Sequence, residues 1–215
     1  PRRVGAQIVF VRVTLPFLAG YLVSYIYRQV NAVIGPDIAR ELGLSAAGLG
    51  LLSGIYFFSF ALFQLPLGVL LDRYGPRRVN ATLLLIAAVG GAWFALGHSA
   101  VELTAARALI GLGVSGCLMA AFSAFALWYP PERIATMNGV AFASGMLGAL
   151  VATVPLEMLL RVLHWREVFG GIVAITVAVS LLIFFAVPER TVARRGESLA
   201  EQWRGFARIA RDPGF

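Results

Sequence analysis

The chain has 215 residues, of which 59% are hydrophobic and 13% charged, whereas a water-soluble domain carries about 25% charged residues. Mean hydropathy is +0.81, so a water-soluble fold is excluded. The net charge of +7 would suit nucleic acid, but its source is arginines placed between apolar runs, where the positive-inside bias of membrane proteins already accounts for them; a nucleic-acid partner is excluded. All the basic residues are Arg and none is Lys, which reads as genomic composition bias. The single cysteine, Cys117, lies inside an apolar run, so there is no disulfide framework and no metal-ligand spacing. Neither a metal nor a cofactor is expected.

Uncharged runs recur as Val13–Tyr27, Leu42–Leu71, Val79–Val101, Ala108–Pro131, Ile134–Leu156 and Val168–Pro188, and each predicts one membrane-spanning helix. The first apolar pattern extends from about Ile8 to about Ile34, which puts Arg28 inside the span. Tyr21, Tyr25 and Arg28 are spaced i, i+4, i+7, with Ser24 and Asn31 alongside; they form one polar stripe on an otherwise apolar helix. An intramembrane arginine costs about 2.5–3.5 kcal/mol even on insertion scales, so Arg28 must face a cavity or a partner.

The second run closes on Gly68-Val-Leu-Leu-Asp72-Arg73-Tyr-Gly75-Pro-Arg77-Arg78. Asp72 there ends a helix, where the macrodipole disfavours a carboxylate by roughly 0.3–1 kcal/mol. A cationic partner is expected for it: Arg133 in the following loop on the same side, Arg73 or Arg77, or a helix N-terminus from outside this chain. Arg107 opens the fourth run near the outer mouth, free to line the cavity or to snorkel. Glu157 lies at the outer end of the fifth run, the best carboxylate this chain offers for proton coupling, though a plain rim charge reads as well; no Asp or Glu lies near mid-membrane.

An inside amino terminus places Arg2, Arg3, Arg12, Arg73, Arg77, Arg78, Arg133, Arg190, Arg194, Arg195, Arg204, Arg208 and Arg211 on the cytoplasmic side and only Arg40, Arg161 and Arg166 outside, as the positive-inside rule asks. The first span runs into Pro36-Asp37 without a small-residue cleavage site, so a cleaved leader is not expected. From Arg190 onward the character changes. Ser198 and Glu201 make a capping box, Leu199, Trp203, Phe206 and Ala210 share a face, and Asp212-Pro213 stops the helix. Two parts follow: a transmembrane bundle over 1–189 and an amphipathic helix on the inner membrane surface over 190–215.

The spacing Gly-x-x-x-Asp-Arg-x-Gly-x-Arg-Arg resembles the loop between the second and third spans of major facilitator superfamily transporters. Arg107-x-x-x-Gly111-x-Gly113 resembles that superfamily's fourth span, and Trp165-Arg-Glu-Val-Phe169 and Val187-Pro-Glu189 resemble the beginning and end of its sixth. The resemblance implies an all-α fold, six transmembrane helices as two three-helix inverted repeats, forming half of a transporter. It implies gating by Gly68, Asp72, Arg73, Gly75, Arg77, Arg78 and Arg133, and a connector leading to a second six-span half. Tyr27-Arg28-Gln-x-Asn31-Ala-x-x-x-Pro36 is similar to the first span of the anion:cation symporter branch, including organophosphate exchangers, where the arginine binds the anion. Carried over, Arg28 binds a small anionic substrate, with Tyr21, Tyr25, Asn31 and Arg107 around it.

Two other readings stand beside this one. The fifth span has Gly145 and Gly148 but no Gly-Pro pair, which disfavours, without excluding, a transporter of neutral or cationic solutes and drugs. Gly113-Val-Ser115-Gly116 resembles the nucleophile motif of rhomboid intramembrane proteases, but a base is needed within hydrogen-bond reach, and His98 and His164 lie outside the spans. The expected location is the bacterial inner membrane, multi-pass, with the amino terminus in the cytoplasm.

Overall fold

The computed structural model describes residues 6–190, which are helical almost throughout; the amphipathic helix expected around Ser198 and Trp203 lies outside the described residues. Helix α1 (Ala6–Val9) passes through a π-helical stretch, Phe10–Thr14, into α2 (Leu15–Leu42). Together they make a first span of 36 residues over Gln7–Leu42, longer than the apolar pattern suggests because Pro36 is absorbed within the helix. It stops at Gly43, whose φ of 64° turns the chain left-handed and lets its N–H bond Ala39 O, a conformation that glycine reaches without a Cβ clash.

Helix α3 (Ala46–Leu96) contains 51 residues. At 1.5 Å per residue it would be about 75 Å long, over twice the hydrocarbon core of a bilayer. It is in fact a hairpin. Gly75 has φ 78° and ψ 157°, outside helical space, and the packing on the fourth span shows the reversal: Gly111 abuts Tyr56 while Gly90 abuts Ile110, and further along Gly116 abuts both Leu67 and Leu83. Residues at comparable distances on either side of Gly75 therefore sit at one height. Residues 46–74 and 76–96 are the second and third spans.

The fourth span comprises α4 (Ala100–Val114) and α5 (Cys117–Trp128). Its uncharged run gives no hint of the interruption, which falls at Ser115-Gly116. Ser115 Oγ folds back onto Leu112 O at 2.7 Å, and Gln64 Nε2 from the second span donates to the freed Ser115 carbonyl at 3.1 Å. Irregular backbone at this depth requires such internal partners. The fifth span is α6 (Pro131–Val151) continued by α7 (Val154–Leu160), and the sixth is α8 (Trp165–Ala186). Capping boxes start α4 (Ser99 with Glu102) and α8 (His164 with Glu167), satisfying N–H groups that have no intrahelical acceptor.

The six spans pack through small residues. A side chain at Gly113 would run into the backbone of Leu83 and Ala87, and one at Gly90 would meet Ile110 N at 2.9 Å, so the third and fourth spans touch backbone to backbone, as membrane helices do at glycine. Buried hydroxyls cross-link the rest: Ser180 Oγ donates to Ala81 O at 2.7 Å, and Thr176 Oγ1 bonds Tyr27 Oη at 3.1 Å. Outward faces stay apolar, with Phe58 63%, Leu96 73% and Phe185 76% exposed, a surface made for lipid or another apolar body rather than water.

Candidate functional site

Tyr25 and Arg28, one turn apart on α2, meet the aromatic residues of the second span. The Arg28 guanidinium lies 4.9 Å from the Tyr25 ring centroid, 5.3 Å from that of Phe60 and 5.7 Å from that of Phe57. Cation–π contacts of this kind contribute about 0.5–2 kcal/mol per ring. No carboxylate among the described residues lies within ion-pair distance of Arg28, and its buried Nε has no hydrogen-bond partner there. Tyr56 Oη is buried beside the same guanidinium and is the polar group that approaches it, without a hydrogen bond of regular geometry. Tyr21 completes the stripe, its hydroxyl 3.4 Å from that of Tyr25 and its ring set edge-on to it at 5.1 Å. The structure thus brings together an arginine without a carboxylate partner among the described residues, a tyrosine hydroxyl and an aromatic wall.

Asn31 and Arg107 form a second cluster. Arg107 does not snorkel: it is 1% exposed. Its Nη1 donates to Tyr27 O at 3.0 Å and its Nη2 to Asn31 Oδ1 at 2.7 Å, while its guanidinium stacks on Phe94 at 4.8 Å and Phe169 at 5.8 Å. Asn31 Nδ2 in turn donates to Ser53 Oγ at 2.8 Å. Both ends of the Asn31 amide are engaged, so the pair braces the first, second and fourth spans together.

At the arginine-rich end, Asp72, Arg73 and Arg133 are exposed. The expected partner of Asp72 within this chain is not found: among the described residues it makes no ion pair. The arginines turn instead to Glu189, just past α8, with Arg78 Nη2 at 2.5 Å and Arg77 Nη1 at 3.8 Å. A carboxylate reached from two neighbouring arginines satisfies them better than one at a helix end that the dipole opposes. Gly68 is exposed, and a Cβ there would meet nothing.

Glu157 pairs with Arg161 at 3.8 Å, the two side chains 64% and 74% exposed, an arrangement of a solvated rim charge. At that same end a cleft of about 370 Å³ is lined by Asp37, Glu41, His164 and Trp165 among others. Glu41 accepts from Trp165 Nε1 at 2.6 Å and pairs with Arg166 at 2.9 Å, tying the first span to the sixth. Ser115 is 1% exposed and donates to its own helix, with no base beside it. Reading the sequence alone missed Tyr56, Phe57, Phe60, Glu41 and Glu189 as partners; the Tyr56-Phe57-Phe58-Ser59-Phe60 string was the one available sign of the aromatic wall.

Comparison with known proteins agrees with this architecture. The "Probable sulfoacetate transporter SauU" of Cupriavidus necator is 28% identical over 165 residues, covering 77% of this chain and 38% of that protein. The "Hexuronate transporter" of Bacillus subtilis is 29% identical over 175 residues, covering 81% of this chain and 41% of its own length. The chain therefore spans about two fifths of these curated relatives. Among solved structures, a bacterial homologue of the human lysosomal transporter Spinster, inward-facing and occupied, superposes with a TM-score of 0.74 at 22% identity, over 88% of this chain and 46% of that one. The profile of the Major Facilitator Superfamily matches residues 17–215, and with its apolar spans folded as half of such a transporter, the chain belongs to that superfamily.

Proposed function

We propose that the chain forms the amino-terminal half of a secondary transporter that moves a small organic anion across the bacterial inner membrane by alternating access, with Arg28 as the ligand of the anionic group. The observation that carries this is the environment of Arg28: a guanidinium held by aromatic faces inside a membrane bundle, with no carboxylate beside it among the described residues. A cation so placed is costly unless an anion joins it, and the planar fork fits a carboxylate, sulfonate or phosphate bidentately. Relatives named for sulfoacetate and hexuronate transport support the same class.

Tyr21 and Tyr25 extend the site along α2, and a second six-span half supplies its other wall, since sites of this class form at the midplane between two halves. Asp72 then finds its partner across that interface in one state of the cycle, with Gly68 offering the second half a close approach. The arginine-rich end faces the cytoplasm. Coupling by a mid-membrane carboxylate falls to the second half, or transport is an exchange of substrates. The test is thermal stabilisation of the full-length protein by sulfoacetate, D-glycerate and D-glucuronate, because ligands of the folded state raise its Tm. Stabilisation by at least one, lost in Arg28→Ala, is the expected result; stabilisation by none, or undiminished in the variant, refutes an anion site at Arg28.

A further inference from the structure

We propose that Gly145 of α6 sets the size of the anion site, acting on Arg28 through the tyrosine pair; the inference rests on the reading of Arg28 as the anion ligand. A methyl group built on Gly145 would lie 2.6 Å from Tyr21 Cε1 and 2.9 Å from both Cδ2 and Cε2 of Tyr25, well inside van der Waals contact. Those atoms belong to rings that rotate, so the rings must move. The same Tyr25 ring that this methyl group would strike also carries the Arg28 guanidinium, 4.9 Å from its centroid. Tyr21 is coupled to it by the edge-on ring contact and the hydroxyl pair, and it is also edge-on to Phe142 of α6 at 6.5 Å. A side chain at residue 145 therefore displaces both tyrosine rings, and with Tyr25 it disturbs the surface on which the guanidinium rests.

Gly148, one turn on, differs in kind. A side chain there would strike the backbone of Leu22, which cannot rotate aside, so Gly148 spaces the first and fifth spans while Gly145 gives room to the rings. Gly145 is thus a positioning residue, touching the anion only through Tyr25. The absent side chain lets both rings lie against α6 and so leaves space for the body of the substrate beyond its anionic group.

The experiment measures affinities of the full-length protein for D-glycerate, sulfoacetate and D-glucuronate in Gly145→Ala, Arg28→Ala and the parent. In Gly145→Ala the expected loss rises with the size of the anion, reaching about tenfold or more for the largest one bound, the scale on which pockets reject one extra methyl group. Uptake should show the same split, with a raised KM and a nearly unchanged maximal rate. A loss equal for all sizes, or no loss, overturns the inference while leaving Arg28 in place if Arg28→Ala still abolishes binding. Retained binding in Arg28→Ala, or a parent that binds none of the three, overturns both. Should Gly145→Ala not fold, Tyr25→Leu reads the same contact from the ring side, shifting preference toward the larger anion; an unchanged preference there overturns the inference.

Discussion

Two arginines inside the bundle meet opposite fates, and their partners decide which. Arg107 has two hydrogen bonds and two rings and is 1% exposed; Arg28 is only partly buried, with three rings and the Tyr56 hydroxyl beside it. Removing Asn31 would leave Nη2 of the buried Arg107 without its acceptor while Nη1 keeps Tyr27 O, so Asn31→Leu is expected to destabilise the protein by about 1–3 kcal/mol. The double variant Asn31→Leu/Arg107→Leu removes both partners at once and should cost less than the sum of the singles, the coupling that a double-mutant cycle measures. Additive losses would show that the pair does not brace the spans. Arg28→Lys follows the opposite logic: it keeps the charge, loses the fork, and should weaken anion binding strongly at an unchanged Tm without ligand. Binding by Arg28→Lys equal to the parent's would remove the bidentate role.

Helices, by contrast, are governed by backbone approach. A Cβ at Gly113 would meet Ala87 N and Leu83 O, atoms fixed within another helix, so Gly113→Ala should lower the Tm of the full-length protein by separating the third and fourth spans, whereas Gly170→Ala, which meets nothing in this chain, should leave the Tm intact. A Gly113→Ala protein as stable as its parent would sink the account of that interface. At the loop end, Asp72→Asn is expected to leave expression unchanged, reduce transport and increase cysteine labelling of the cytoplasmic side; unchanged transport and labelling would remove Asp72 from the gate. The six spans were legible in the sequence because apolar length is a local quantity, and the hairpin at Gly75 because charges and glycines crowd one loop. The break at Ser115-Gly116 was not, since both flanks are equally apolar and the reason for it lies in Gln64 and Leu83 of other spans. Arg28 was legible as an anomaly within its own helix. Its aromatic wall was not, because Phe57 and Phe60 are ordinary members of an apolar run until the fold sets them against α2, and Glu189 takes Arg77 from the expected pairing with Asp72 only through the return of α8 to the loop.

At the scale of the whole molecule, the surface that carries the substrate reading is one-sided. Arg28 and Tyr25 are only partly buried and Phe57 is 48% exposed, so this bundle gives an anion one wall and leaves the opposite side open. An anion on a single exposed wall keeps most of its hydration and gains little from a guanidinium screened by water. Enclosure between two halves strengthens the same contact and, by closing alternately at either end, turns binding into transport. The 215 residues, purified and reconstituted alone in proteoliposomes, are therefore expected to insert as a helical bundle and to show no saturable uptake of sulfoacetate or D-glucuronate. Supplying the second six-span half, on the same chain or as a separate one, should restore saturable uptake that Arg28→Ala abolishes. Saturable uptake by the bundle as a monomer would mean that one wall suffices, and the two-half site would fall with it.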